Sequence, residues 1–225
     1  IKYLLENQAK IIIITHLGEP AKGEPRQKYT VKPIAKYLEK ILKRRIKIID
    51  DFTTFSAGTV IGRMKNKELV MLENIRFYPG ELKNSLGFAK KLSRIADLYV
   101  NDAFGVSHRR QATLSAIKKY LPAFAGILLE QELRALQQAL NQRKPLVAVI
   151  GGAKISTKIN LIRNLLKKNA LILIGGALAN NFLAARNLEV GKSLVDQKSM
   201  ILAHKLKNKK IIIPVDVVVS TGPDD

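Results

Sequence analysis

The sequence predicts an α/β protein made of two parallel-sheet lobes joined by a helix, the second lobe incomplete. Three observations predict it. Apolar runs of strand length alternate with helical patterns, a strand, double-glycine, helix plan occurs twice in the second half, and a long stretch without Gly or Pro lies between the halves. Such alternation needs crossover connections, so the sheets are expected to be parallel.

The first run, Ile11 to Ile14, is too short and too β-branched to prefer a helix and reads as a buried strand. After a polar loop, Lys32-Pro33 opens a segment with Ile34, Tyr37, Leu38, Ile41 and Leu42 at helical spacing, Pro being tolerated in the first turn. Ile46 to Ile49, Leu69 to Leu72 and Leu98 to Val100 read as further strands, with a helix at Phe88 to Ile95 between the last two. Residues 127–142 are rich in Leu, Ala, Gln and Glu and read as a connecting helix, closed by Arg143-Lys144-Pro145. Beyond it come a strand at Leu146 to Ile150, Gly151-Gly152, and a helix carrying Ile155, Ile159, Ile162 and Leu166. A strand at Ala170 to Ile174, Gly175-Gly176, a helix from Ala177, a strand at Ile211 to Ile213 and an apolar stretch Val215 to Val219 follow. The expected boundaries are therefore 1–126, 127–142 and 143–225. Three strands are few for an open parallel sheet, so the second lobe is expected to be cut short.

With 225 residues, 47% apolar and 25% charged, the chain is long enough and apolar enough to bury a core, which excludes disorder as the default. No apolar run approaches the roughly 18 to 20 residues that span a bilayer, so a soluble protein is expected. The absence of cysteine excludes a disulfide scaffold, a thiolate metal site and a cysteine nucleophile, and suits a reducing compartment. The chain opens at Ile1 with neither Met nor a leader pattern, and is read as a fragment. A net charge of +21 points to anionic partners without choosing among nucleic acid, anionic lipid and phosphorylated metabolites. The bases are scattered in short runs (Lys43-Arg44-Arg45, Lys90-Lys91, Lys167-Lys168, Lys207 to Lys210) without interleaved aromatics, and most read as solvated face.

Chemistry concentrates at strand ends. In the turn Gly151-Gly152-Ala153-Lys154, the glycines let backbone N–H groups approach an anion, and Lys154 and Lys158 at i, i+4 are expected on one helix face. The same residues also read as a structural turn with solvent-facing lysines. Gly191-Lys192-Ser193 is not a Walker A loop, because Arg186 stands where the first glycine belongs, and no G-x-G-x-x-G occurs. In the first half, Thr15-His16-Leu17-Gly18, Asn74-Ile75-Arg76 and Asn101-Asp102 leading to His108-Arg109 each follow a strand. Ligands of open α/β sheets bind at carboxyl ends of strands, so His16, Arg76 and Arg109 are expected in one crevice suited to phosphate or carboxylate.

The stretches HLGEP (16–20), KYTVKPIAKYL (28–38), LENIRF (72–77), VNDAFGVSHR (100–109), GGAKISTKINLIRNLL (151–166), IGGALANNFL (174–183), VGKSL (190–194) and IPVDVVV (213–219) resemble phosphoglycerate kinase in order and spacing. The resemblance implies two Rossmann-like lobes joined by a hinge helix. It also implies reversible phosphoryl transfer between 1,3-bisphosphoglycerate and Mg-ADP, giving 3-phosphoglycerate and Mg-ATP, in a cytoplasmic monomer. Neither a membrane nor a specific nucleic acid is expected as partner. Carried over by motif, His16, Leu17, Gly18, position 19, Arg76 and Arg109 would hold the phosphoglycerate in the first lobe. Lys154 and Lys158 would be catalytic, and with Gly152, Ala153, Gly175 and Gly176 would bind the nucleotide. Positioning and charge stabilisation would carry the catalysis, with no general base. Closure of the hinge would bring the two halves of the site together across a cleft and exclude water.

Three departures from the family pattern stand out. HLGRP is expected, yet position 19 is glutamate, an anion in place of a cation, so weakened phosphoglycerate binding is expected unless Lys22 or Arg26 swings in. Ala177 stands where a third glycine is expected, which would crowd the nucleotide. The family's first strand, with its substrate-binding residues, would lie upstream of Ile1. Its remaining nucleotide turns and its Mg2+ ligand would lie downstream of Asp225. Little or no turnover is therefore expected from these residues alone. The alternative reading is a non-catalytic basic α/β module binding RNA or other polyanions, distinguished by a steep salt dependence.

Overall fold

A computed structural model describes residues 1–21, 24–141, 145–206 and 208–220. The expected helix-closing Arg143-Lys144, the helix's last expected residue Gln142, Lys207 and Lys22 lie outside those described residues. The chain divides into two compact units, Ile1–Glu132 and Leu133–Asp225.

The first unit runs α1 (Lys2–Glu6), β1 (Ile11–Ile13), α2 (Lys32–Leu42), β2 (Ile46–Ile49), α3 (Phe55–Gly62) and β3 (Leu69–Leu72). It continues with α4 (Pro79–Leu82), α5 (Leu86–Leu92), β4 (Tyr99–Asn101) and β5 (Ala123–Ala125). β3 is central in a parallel sheet of order β1-β3-β2, with Leu69 facing Ile11 on one side and Ile46 on the other. All four residues of β3 are buried, as a strand covered on both faces requires. One face packs Leu5, Val31, Ala35, Ile46 and Met71; the other packs Phe52, Met64, Val70, Leu72 and Ile117. β4 and β5 pair in parallel as a separate two-stranded sheet.

The helix α6 (Ile127–Asn141) runs across the boundary between the units and buries none of its described side chains. The second unit holds β6 (Val147–Ile150), α7 (Ile159–Lys167), β7 (Leu171–Ile174), α8 (Ala177–Ala184), α9 (Gln197–Lys205) and β8 (Ile211–Ile212). Its parallel sheet has the order β6-β7-β8, over a core of Ile155, Ile162, Ile172, Leu178, Phe182 and Ala203.

One expectation changes. The helix expected to start by Ile155 begins at Ile159. Residues Ile155–Thr157 form a 3-10 turn instead, because the fully buried Ile155 and its N–H bond to Ser199 Oγ (2.9 Å) hold that segment against α9. The stretch Val215 to Val219 forms no strand and is exposed, Val215 at 99% and Val218 at 100%, with no pairing partner among the described residues.

Candidate functional site

The expected crevice of the first unit is built at the carboxyl ends of β1 and β3. β3 runs directly into Glu73 and Asn74, both buried and both fully engaged. Asn74 Nδ2 donates to Leu17 O (2.8 Å) and Tyr29 O (2.9 Å), and its Oδ1 accepts from Arg76 N (3.0 Å). Glu73 accepts from Thr30 Oγ1 (2.6 Å), Val31 N (2.8 Å) and Asn74 N (2.8 Å). These two side chains thus fix the loop after β1 and the approach to α2 relative to Arg76. Gly18 adopts φ +59°, and a Cβ there would stand 2.6 Å from the Tyr29 ring, so only glycine fits between loop and ring.

Arg76 carries the charge of this pocket. Its side chain is 4% exposed, Nη1 donates to Gly18 O at 2.7 Å, and Nε and Nη2 are buried with no hydrogen-bond partner among the described residues. Burial pushes its guanidinium below the ordinary arginine value, with Arg109 repulsion adding to the shift; an arginine remains charged all the same. His16 is pushed below its ordinary value by burial first, then by repulsion from Arg76 and Arg109. His16, Arg76 and Arg109 are therefore gathered as expected. Leu17 and Gly18 lie in the same loop.

Glu19 lies among them and supplies what the departure from HLGRP only hinted at. Its Oε1 is 2.6 Å from Arg109 Nη1 and 3.6 Å from Arg76 Nη1, while its side chain stays 69% exposed. The hydrogen bond and charge of Arg109, then the charge of Arg76, hold its carboxyl below the usual carboxylate range. The anion thus sits on the arginines rather than facing a substrate alone. Arg26 does not swing in; its guanidinium stacks over the Phe77 ring at 4.6 Å.

Behind the pocket, Glu81 is buried and accepts from Thr113 N (2.9 Å) and Thr113 Oγ1 (2.6 Å), tying the segment after Arg109 to α4. Burial raises its pKa. The sequence reading passed over Glu73, Glu81, Tyr29 and Thr113. The signal for Glu73 and Asn74 was available: two polar residues directly after a four-residue apolar strand.

In the second unit the two double-glycine turns stand side by side at the ends of β6 and β7. Gly175 N donates to Ile150 O (3.0 Å). A Cβ on Gly151 would be 3.9 Å from Gly175 O, and one on Gly176 would be 3.8 Å from Gly152 N. Gly152 has φ +135° and Gly176 φ +59°. Lys158 reaches over this floor, its Cε 3.7 Å from where a Gly152 Cβ would stand. Lys154, however, is in extended backbone (φ −119°, ψ 122°), so the two lysines do not share a helix face as the spacing had suggested. Ala177 follows Gly176 as the first residue of α8. The fully buried Asn181 donates to Ala153 O and Ala177 O (3.2 Å each) and accepts from Asp196 N (2.9 Å), so one amide clamps both turns. Asn181, Asp196 and Ser199 were not singled out from sequence, although two asparagines in the apolar run 174–183 mark the spot.

Among the described residues no group of three or more His, Asp or Glu could hold a metal, and no helix is long and apolar enough to cross a membrane. The phosphoglycerate kinase family model matches residues 1–224. The chain is 43% identical to the phosphoglycerate kinase of Moorella thermoacetica, over 98% of this chain and 58% of that protein. It is 44% identical to the chloroplastic phosphoglycerate kinase of Chlamydomonas reinhardtii, over 98% of this chain and 49% of that protein. The solved phosphoglycerate kinase of Coxiella burnetii superimposes with a TM-score of 0.74 at 36% identity, covering 91% of this chain and 51% of that one. That of Pyrococcus horikoshii OT3 gives 0.76 at 34%, covering 84% and 49%. The chain spans about half the length of the relatives it matches. Anion-ready strand ends in each unit, a family match along almost the whole sequence and the same fold in solved relatives agree: this chain belongs to the phosphoglycerate kinase family.

Proposed function

We propose that this chain carries the phosphoglycerate-binding half and part of the nucleotide-binding half of a phosphoglycerate kinase, which transfers a phosphoryl group reversibly between 1,3-bisphosphoglycerate and Mg-ADP. The observation that carries the reading is Arg76, a buried guanidinium with two unpartnered donor nitrogens beside His16 and Arg109. Buried charged donors without acceptors are costly unless a ligand supplies them, and a phosphate or carboxylate does so with short charge-assisted bonds. In this reading Arg76, Arg109 and His16 grip 3-phosphoglycerate, while the backbone of the Leu17-Gly18 loop shapes the wall. Gly152, Ala153, Gly175 and Gly176 cradle the nucleotide phosphates, and Lys154 and Lys158 neutralise them and the group in transfer. The attacking oxygen is already anionic, so these residues position and stabilise charge and need remove no proton. The described residues hold no ligand set for Mg2+, so no step runs through the ion; it would arrive as counter-charge on ADP or ATP. A monomer acting in the cytoplasm fits this reading.

The test is a calorimetric titration of the chain with 3-phosphoglycerate at two ionic strengths. Saturable 1:1 binding with modest salt sensitivity is expected, and its loss in Arg76→Met. Absence of saturable binding would overturn the reading. Salt-labile RNA binding alone would favour the basic-module alternative.

A further inference from the structure

Neither the run Lys43-Arg44-Arg45 nor most of the +21 charge is used by the function proposed above. At the amino ends of β2 and β3, the opposite end of the sheet from His16 and Arg76, lies a cavity of about 640 Å³. Lys43, Arg44, Arg45, Lys47, Arg63 and Lys67 line it, over a floor that includes Val60 and Met64. Glu68 is the one acid in the lining, and its Oε2 is already bonded to Lys65 N at 2.8 Å. The neighbouring Glu39 is likewise engaged, its Oε1 accepting from Ile46 N at 2.8 Å. Among the described residues none of the six cations forms an ion pair.

Backbone conformation adds an independent observation. Lys43 (φ +51°) and Lys67 (φ +65°) both adopt the left-handed region, where glycine or asparagine is the ordinary choice. The other described non-glycine residues with positive φ are Gln8 and three asparagines, Asn84, Asn169 and Asn187. The chain thus places lysine, against local preference, at two turns that border the same cavity. The lining contains no aromatic side chain, so it offers no platform on which bases could stack.

We propose that this cavity binds a chain of phosphates, gripped through its charged oxygens without base readout: inorganic polyphosphate or the backbone of a single-stranded nucleic acid. Six cations without ion pairs, against one acid in the lining, suit several successive charges along a polymer, whereas a single phosphate would leave most of them unmatched. Release of condensed counterions would supply the affinity and make it fall with salt.

The test is fluorescence anisotropy with two labelled probes, inorganic polyphosphate and oligothymidylate, across a salt series on the full chain. The variant Lys43→Gly/Lys67→Gly removes two cations where glycine is the better backbone fit, so its thermal unfolding is expected at or above the parent's. For oligothymidylate, the slope of log affinity against log salt is expected to become shallower by about 1.4, or on the order of tenfold weaker binding near 0.15 M salt. The control Lys90→Gln/Lys91→Gln, equal in charge change and outside the cavity lining, is expected to retain most of the binding. Saturating 3-phosphoglycerate should leave the probes bound, which separates this site from the one proposed above. Binding of only one probe would support the site and identify its source of phosphate. Binding of neither probe, an unchanged slope in the glycine variant, an equal loss in the control, or displacement by 3-phosphoglycerate would each overturn the proposal.

Discussion

The two anion-ready strand ends are built by opposite means. In the first unit the pocket is a side-chain construction: Asn74 and Glu73 bridge three segments, and Arg76 is buried with donors to spare. In the second unit the floor is backbone, two adjacent glycine turns, with Lys158 partly exposed over Gly152 and Lys154 exposed. A side-chain pocket holds desolvated charge ready for one ligand shape and gives up fold stability to do so. A backbone floor accepts any phosphate that fits and leaves its lysines hydrated. The first should therefore be sensitive to polar deletion and the second to a Cβ at Gly152 or Gly176, whose φ is positive.

The largest expected effect falls on Arg76. Replacing it by Met removes two unpartnered donors, each worth about 1.5–3 kcal/mol once bonded to a charged ligand, so affinity for 3-phosphoglycerate should drop at least a hundredfold. The urea midpoint should hold or rise, because two buried donor nitrogens without partners are removed. Binding and stability moving down together would show that Arg76 is structural. Next comes Asn74→Ala, which leaves Leu17 O, Tyr29 O and Arg76 N without their partner and should cost about 2–4 kcal/mol in chemical denaturation. A loss no greater than that of the exposed Asn160→Ala would break the contrast drawn here. In the backbone-built site, Gly176→Ala should cost about 1–3 kcal/mol, since φ +59° with ψ −160° is a glycine conformation, and should weaken ADP protection of the second unit.

The difference between the sites also explains what was legible beforehand. Gly151-Gly152 and Gly175-Gly176 after apolar runs announce themselves, because conformational freedom has its own letter in the sequence. His16, Arg76 and Arg109 could be grouped because all three follow strands of one parallel alternation. Their supports could not: Asn74 reaching Tyr29 and Glu81 reaching Thr113 are pairings across 45 and 32 residues, set by tertiary packing. The helix α3 was missed for local reasons, since Gly58, Thr59 and Val60 are poor helix formers and only the Thr54 cap, accepting from Ala57 N, marks its start. α9 had a readable cap in Asp196, accepting from Ser199 N at 2.9 Å, that went unused. The late start of α7 had no local signal, because Ser199 comes from 44 residues away.

A smaller change is expected at Glu19. Its carboxylate lies on Arg109 and within reach of Arg76, so under the proposed function 3-phosphoglycerate would have to displace an exposed tethered anion before using both guanidinium groups. Exposed ion pairs are individually weak, so Glu19→Gln should raise affinity only several-fold, and Glu19→Arg somewhat more. The gain should shrink as salt rises, which screens the tether and ligand alike. Unchanged affinity in both variants would mean that the carboxylate moves aside without cost.

The smallest effect is a fraction of a proton, and it resides on His16. Its pKa in the folded chain lies below the ordinary value of 6.5, through burial and then repulsion by Arg76 and Arg109. The unfolded chain therefore binds more protons than the folded one as pH falls through about 6.5, and stability drops with acid across that window. Under the proposed function a bound phosphoglycerate would reverse the local sign: its negative charge would offset both arginines and lift the imidazole back up. Binding near pH 6 should then take up protons, seen as a dependence of the calorimetric heat on the buffer's ionisation enthalpy. Any uptake by the ligand's own phosphate is shared by the parent and His16→Gln, so the difference between them isolates the histidine. Equal uptake in the two proteins would mean that His16 stays neutral in the complex and contacts the ligand, if at all, as a neutral ring.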